Sequence, residues 1–168
     1  MDFKFNINEI DAIVLSGSEA RIVEPQYVEM YKKVSNLIKN IELPILGICF
    51  GHQLACLAFG AQVGELKNPV KTFENVRIIE KNNLFKGFEV GEKIPLAEYH
   101  NDYVKKESLK KAKLKLLADS ISCEVEAVRH LTKSFYGIQF HAERTCIRKE
   151  KHEEGMHIIS NFFKILKR

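Results

Sequence analysis

The 168-residue sequence predicts an α/β fold: a mostly parallel central sheet with helices on both faces, and antiparallel hairpins added to it. Three observations carry this expectation. Residues 12–15 and 44–48 are short apolar runs of the kind found in strands buried on both faces, and a helical pattern follows each. Strand, helix, strand, helix is the succession of a parallel sheet wound on both sides. Between residues 76 and 140 the strand candidates then follow one another with turn residues and no convincing helix between them, which calls for antiparallel pairing.

Taken in order, Phe3, Phe5 and Ile7 alternate with polar residues and predict a short edge strand over 3–7. The buried strand over 12–15 breaks at Ser16-Gly17-Ser18, a turn at a strand's carboxyl end. After Pro25, Tyr27, Tyr31, Val34 and Ile38 recur at helical spacing and give one amphipathic helix that covers a sheet face. Strands are expected over 76–79, 94–99, 114–118, 125–129 and 135–140. Met156, Ile159, Phe162, Phe163 and Leu166 mark a closing helix, with Lys164, Lys167 and Arg168 at the end its dipole favours. No repeat, low-complexity tract or linker interrupts the chain, so one domain over 1–168 is expected.

The stretch 44–60, PILGICFGHQLACLAFG, organises the rest. Its apolar strand turns sharply through Gly47, Cys49 and Gly51. Leu54, Ala55, Leu57 and Ala58 then fall at helical spacing, with Gly60 as the stop. A lone cysteine in an apolar run is usually a small core hydrophobe, and Cys56 on the inner face of this helix fits that description. Cys49 differs, because glycines at i−2 and i+2 flank it as they flank the serine of a nucleophile elbow. Unpaired N–H groups and the positive helix end at such a corner favour a thiolate. The strand over 135–140 ends in His141-Ala142-Glu143, on the sheet edge where the Cys49 corner emerges. His141 is placed as a base and Glu143 as the group that orients it. Taken alone, a His-x-Glu is more often a hydrogen-bonded loop histidine beside a surface acid.

Composition narrows the possibilities. With 45% hydrophobic and 29% charged residues the chain reads as globular, and no run approaches the ~20 apolar residues of a membrane span. The N-terminus lacks the apolar core of a signal peptide, so a cytoplasmic chain is expected. The four cysteines show no C-x-x-C pairing, which suggests neither a zinc ribbon nor a disulfide framework; no metal and no cofactor is expected. The net charge of +4 is modest. Its basic runs at 105–115 and 144–151 lack the interleaved aromatics of a nucleic-acid surface, leaving a solvated face, an acidic protein or a phosphate-bearing substrate as their match.

GICFGHQ at 47–53, the earlier IVLSGS at 13–18 and the later YGIQFHAE at 136–143 resemble, in order and spacing, the class I (triad-type) glutamine amidotransferases, whose patterns run close to GICLGHQ, ILSGGP and YGVQFHPE. The resemblance spans about residues 11–166 and implies their flavodoxin-like sheet. Within the family the likeness is nearest to the separate amidotransferase subunit of GMP synthase. AEYHNDYV at 97–104 resembles its SHxDEV segment, and CEVEAV at 123–128 its C-x-V/I-E-A-M strand.

What the resemblance implies is hydrolysis of L-glutamine. Cys49 attacks the side-chain amide, His141 protonates departing ammonia, Glu143 orients His141, and water frees glutamate from a thioester. The backbone N–H groups of Phe50 and Ser18 hold the oxyanion, and Gly17 and Gln53 lie beside the substrate. His100 and Asp102 shape contacts near the mouth. The helix terminus and His141 together are expected to lower the thiol pKa. No ATP-binding glycine loop is present, so the ammonia acceptor is expected on another chain, an ATP-dependent synthetase; the subunit likeness points to the ATP-pyrophosphatase of GMP synthase.

The chain departs from the pattern in four places. Ser18-Glu19 stands for Gly-Pro, Ala142 stands for proline, the acidic stretch after Glu65 is replaced by LKNPVKTFENV, and 145–154 is longer and more basic. The family also carries a strand and helix ahead of the position of Met1. Two other readings use the same residues: a degenerate binding or regulatory module that keeps the fold, and a stand-alone γ-glutamyl hydrolase.

Overall fold

The computed structural model describes residues 6–166. In chain order the elements are β1 (Ile13–Leu15), α1 (Pro25–Met30), α2 (Lys32–Asn40), β2 (Ile45–Ile48), α3 (Phe50–Ala58), β3 (Val63–Ile78), β4 (Lys93–Val104), β5 (Leu114–Asp119), β6 (Ala127–His130), β7 (Phe135–Ile138), the two-residue strands β8 (Cys146–Ile147) and β9 (Glu150–Lys151), and α4 (Glu154–Leu166). The strand expected over 3–7 lies outside the described residues except at its end, where Ile7 opens a 3-10 turn.

Seven strands form one mixed sheet in the order β1-β2-β7-β6-β5-β3-β4. β1, β2 and β7 are parallel neighbours, and every pairing from β7 outward to β4 is antiparallel. Parallel neighbours need a crossover of a dozen or more residues. The chain supplies one through α1 and α2, and a second in the long return from β2 to β7; the strands between are joined by turns and short 3-10 segments. The antiparallel part is therefore the larger share.

Two elements differ from expectation. The strand expected over 76–79 is only the end of β3, which runs for 16 residues. Its polar sequence and Pro69 conceal it, and the register with β4 breaks between Glu65 and Val70, where proline lacks a ladder N–H. The single helix expected after Pro25 is two, interrupted at Tyr31 (φ −94°, ψ 9°), whose ring packs on Phe50 at 4.9 Å between centroids.

The sheet is covered on both faces. Ile38 of α2 and Leu54, Ala55 and Cys56 of α3 pack with Ile45, Val128 and Phe135; Ile158 and Phe162 of α4 pack with Leu46, Ile138 and Phe140 on the other side. Successive residues Ile45 and Leu46 thus serve opposite cores, as the two-residue strand period requires. Cys56 is a fully buried core sulfur, as expected. No helix among the described residues is long and apolar enough to cross a membrane.

His52 of α3 is wedged beneath β7: a Cβ on Gly137 would lie 2.3 Å from its Nδ1. Burial, with His100 adding to it, pushes its pKa down to about 3. The folded state then holds the ring neutral while the unfolded chain binds a proton below its ordinary value of 6.5, so stability is full above that pH and falls as the pH drops toward 3. Between pH 7 and 4.5 this residue alone should remove roughly 3 kcal/mol. Urea unfolding at the two pH values is expected to show a flatter loss for His52→Gln, whatever its absolute stability. Equal losses in both proteins would mean the ring is not held neutral.

Candidate active site

Cys49 joins β2 to α3 with φ 50° and ψ −108°, a conformation L-residues avoid and one that persists only where the surroundings impose it. The glycines on either side impose it. A Cβ on Gly51 would stand 2.2 Å from the carbonyl oxygen of Leu15, and one on Gly47 would stand 2.8 Å from the Gly51 carbonyl. The first turn of α3 is therefore folded directly onto the backbone of β1 and β2, and the corner tilts Cys49 into the space above the strand ends.

The sulfur is held by two groups: its S–H donates to the Tyr99 carbonyl at 3.7 Å, and the Gln139 amide Nε2 donates to it at 3.7 Å. Contrary to the expected lowering, burial pushes the thiol pKa up to about 12. The Phe50 N–H works against this, but the negative fields of Glu98, Glu143 and Asp102 add to it. A pKa raised this far favours the protonated sulfur in the free protein, with the proton leaving as the bond to substrate forms.

His141 follows the end of β7, and its backbone N–H donates to Ala97 O at 2.7 Å. Its Nδ1 lies 2.6 Å from Glu143 Oε1. Burial tends to raise the Glu143 pKa, but the bond from His141, the residue's own N–H and Arg144 together hold it below the ordinary carboxylate value. An ionised Glu143 accepts from Nδ1–H, which leaves the Nε2 lone pair free on the far side of the ring. The ring lies against Gly17, where a Cβ would meet Cε1 at 2.7 Å. Ala142, standing for the family's proline, is fully packed: a Cβ on Gly155 of α4 would lie 2.4 Å from its carbonyl oxygen.

Cys49 and His141 line one cavity of about 820 Å³ together with Gly17, Ser18, Phe50, Gln53, His100 and Asp102. Glu143 stands behind His141. Ser18 is not among the described residues with positive φ, so a serine in place of the family's glycine carries no left-handed strain, and its Oγ accepts from the Ala20 N–H at 3.1 Å. Gln53, expected beside the substrate, and His100 and Asp102, expected near the mouth, are bonded within the protein. Gln53 Nε2 donates to Asp102 O at 2.7 Å and to Gln139 Oε1 at 3.1 Å. His100 points its ring inward, with Nδ1 3.0 Å from Asp102 O. The Asp102 carboxylate receives Arg21 through Nε at 2.7 Å and Nη2 at 2.6 Å. At the rim, Tyr99 carries the Lys71 ammonium 4.4 Å and the Arg144 guanidinium 5.0 Å from its ring centroid.

The model of the glutamine amidotransferase class-I family matches residues 2–166. The chain belongs to this family. It is 36% identical over 157 residues to a glutamine-hydrolyzing GMP synthase subunit of Methanocaldococcus jannaschii, covering 94% of this chain and 74% of that protein. The corresponding subunit of Pyrococcus furiosus is 39% identical over 134 residues, covering 80% of this chain and 66% of its own length. Among solved structures, a Thermoplasma acidophilum protein provisionally assigned as a GMP synthase subunit superimposes with a TM-score of 0.81 at 31% identity, over 96% of this chain and 75% of that one.

Gln139 is the site residue of this amidotransferase chain that sequence reading passed over as part of a strand. The available signal was a polar residue at a core position: its neighbours Ile138 and Phe140 are fully buried, and so is Gln139. It links Gln53 to the Cys49 sulfur, and its Nε2 donor faces the position where thiolate charge develops. Gln139→Met keeps the bulk and removes the donor. The rate of iodoacetamide alkylation of Cys49 at pH 8 is expected to fall roughly tenfold, since about 1.4 kcal/mol of thiolate stabilisation is one pH unit. An unchanged rate in a folded variant would show that the amide does not act on the sulfur.

Proposed function

We propose that this chain is a glutaminase subunit that hydrolyses L-glutamine to glutamate and ammonia and passes the ammonia to a separate ATP-dependent synthetase. The observation that carries the reading is the convergence on one cavity of a strained cysteine at a helix N-terminus and a histidine whose far nitrogen is anchored by an ionised carboxylate. The residues act in this order. As Cys49 Sγ bonds to the amide carbon, its proton passes to His141 Nε2, and Glu143 stabilises the imidazolium. The carbonyl oxygen gains negative charge beside the Phe50 and Ser18 N–H groups. The intermediate collapses as His141 returns the proton to the departing nitrogen. Water, deprotonated by His141, then opens the thioester and frees glutamate.

The high thiol pKa favours a chain that turns over slowly alone and faster once a partner and substrate reshape the cavity. The relatives named as GMP synthase subunits make the ATP-pyrophosphatase of GMP synthase the partner of first choice, in the cytoplasm. Glutamate release from glutamine, followed with and without that ATP-pyrophosphatase in the presence of ATP and xanthosine monophosphate, tests this. Stimulated release and GMP formation are expected. Release stimulated by a different synthetase would redirect the partner. Absence of turnover with any synthetase would favour the binding-module reading, and partner-free cleavage of γ-glutamyl peptides the hydrolase reading.

A further inference from the structure

A second group of chemistry-bearing side chains lies beneath β4. Glu98 and His100 of β4 meet Cys123 and Glu126 from the β5–β6 connection. The ligand atoms of His100, Cys123 and Glu126 all lie within 4.8 Å of one another. Glu98 Oε2 is 3.2 Å from His100 Nε2, though not in hydrogen-bonding geometry. All four residues are buried.

The hydrogen bonding of His100 and Glu126 has a consistent sense, while the Cys123 S–H donates to the Val125 carbonyl at 3.5 Å. The outer nitrogen of His100, Nδ1, bonds the Asp102 carbonyl at 3.0 Å. The outer oxygen of Glu126, Oε1, accepts from Ser120 Oγ at 2.7 Å. The inner atoms, His100 Nε2, Glu126 Oε2 and both carboxylate oxygens of Glu98, have no partner outside the group; the Glu98 and Glu126 carboxyls face each other closely enough to share a proton. A buried polar atom left unpaired costs about 1–3 kcal/mol; one shared proton satisfies a single pair of carboxyl oxygens and leaves His100 Nε2 and the remaining oxygens without a donor, a deficit that a cation would remove. An outer atom fixed by a backbone carbonyl or hydroxyl and an inner atom left free is how metal-ligating histidines and carboxylates are held.

We infer that His100, Cys123 and Glu126, with the Glu98 carboxylate beside His100, form a buried site for one divalent transition metal of zinc type. One imidazole nitrogen, one thiolate and one carboxylate oxygen are a borderline donor set that suits zinc better than calcium or magnesium, and burial of the whole group, with Glu98 at its side, leaves no room for a substrate there. Binding sends the Cys123 thiol proton, and any proton shared by the carboxyls, to solvent. The role is structural. β3 and β5 are joined by only two residue pairs, Arg77 with Asp119 and Ile78 with Ala118. The cluster spans that seam, and an ion there would clamp the strand whose Tyr99 carbonyl receives the Cys49 thiol. Ligands at 100, 123 and 126 contain no C-x-x-C pair, which is why the sequence suggested no metal.

The inference stands apart from the glutaminase reading and is tested without activity. The untagged full chain carrying Cys49→Ala, so that the active-site sulfur cannot bind metal, is unfolded and refolded with excess Co²⁺ under reductant. Roughly one cobalt per chain is expected, with visible bands of a tetrahedral ion and a near-ultraviolet thiolate-to-cobalt band. Cys123→Ser in the same background should lose the near-ultraviolet band, and Cys146→Ser should keep it. Should Cys123→Ser fail to fold, thermal unfolding of the parent decides: refolding with Zn²⁺ should give a higher Tm than refolding with chelator. Cobalt below roughly a tenth of an equivalent with no zinc effect on Tm overturns the inference and leaves a proton-sharing carboxyl pair. A thiolate band that survives Cys123→Ser overturns it as well.

Discussion

Replacing Cys49 with alanine is expected to abolish glutamate release, by about 10⁴-fold or more in kcat, because no other group among those facing the cavity can form the thioester. Stability should move the other way for a glycine at the same position. Cys49 sits at φ 50°, where an L side chain is strained, and Cys49→Gly removes that strain along with the sulfur. A gain of about 1 kcal/mol in urea unfolding is expected, with activity still absent. The pair of outcomes separates function from fold: the alanine variant keeps the Cβ at positive φ, the glycine variant does not, and both lack the nucleophile. Wild-type turnover in Cys49→Ala would remove Cys49 as the nucleophile. A glycine variant less stable than wild type would mean that packing of the sulfur against Gln139 and the Tyr99 carbonyl outweighs the backbone strain.

The parts of this molecule that were legible in sequence are those governed by local chemistry. The run before Cys49 could be read as a strand because a parallel strand buried on both faces has to be apolar throughout, and its flanking glycines could be read because the corner admits no side chain at either position. The position of His141 and Glu143 beyond a strand end followed in the same way. What sequence could not show depends on contacts between distant segments. β3 is sustained along its length by backbone pairing with β4, so its side chains alternate weakly and its proline sits at the register break. The break between α1 and α2 falls where Tyr31 meets Phe50, a pairing that the helical spacing of its own segment does not reveal. The thiol pKa was misjudged for a related reason: helix polarity is a local property, but the burial that outweighs it is built by β4, β7 and the residues around Tyr99 and Gln139 together. His100 and Asp102 were placed near the cavity, yet the inward turn of the one and the pairing of the other with Arg21 depend on tertiary partners.

Gly51→Ala is expected to have the largest effect on folding of any single methyl group added to this site. The new Cβ would lie 2.2 Å from Leu15 O and 2.6 Å from Leu15 C and Cβ. The first of these is a main-chain atom of β1 that cannot rotate away, and β1 is fixed in register to β2 through Ile13–Ile45, Val14–Leu46 and Leu15–Gly47. Relief requires moving either β1 or the start of α3, and α3 is packed against the sheet through Leu54, Ala55 and Cys56. A loss above about 4 kcal/mol, enough to unfold a domain of ordinary stability, is the expected result in urea or in yield of soluble protein. Gly60→Ala serves as the comparison: Gly60 has φ +100° but nothing within 4 Å of an added Cβ, so backbone strain acts there without collision and about 1 kcal/mol should be lost. If Gly51→Ala folds because α3 has shifted outward, the sulfur moves with the helix start while His141 stays beyond the end of β7, bonded to Ala97 of β4, with Glu143 beside it. Turnover should then vanish in a protein that retains all three side chains of the proposed triad. A Gly51→Ala protein with wild-type stability and wild-type glutamate release would show that the corner is not held against β1, and the placement of Cys49 argued from that close approach would fall with it.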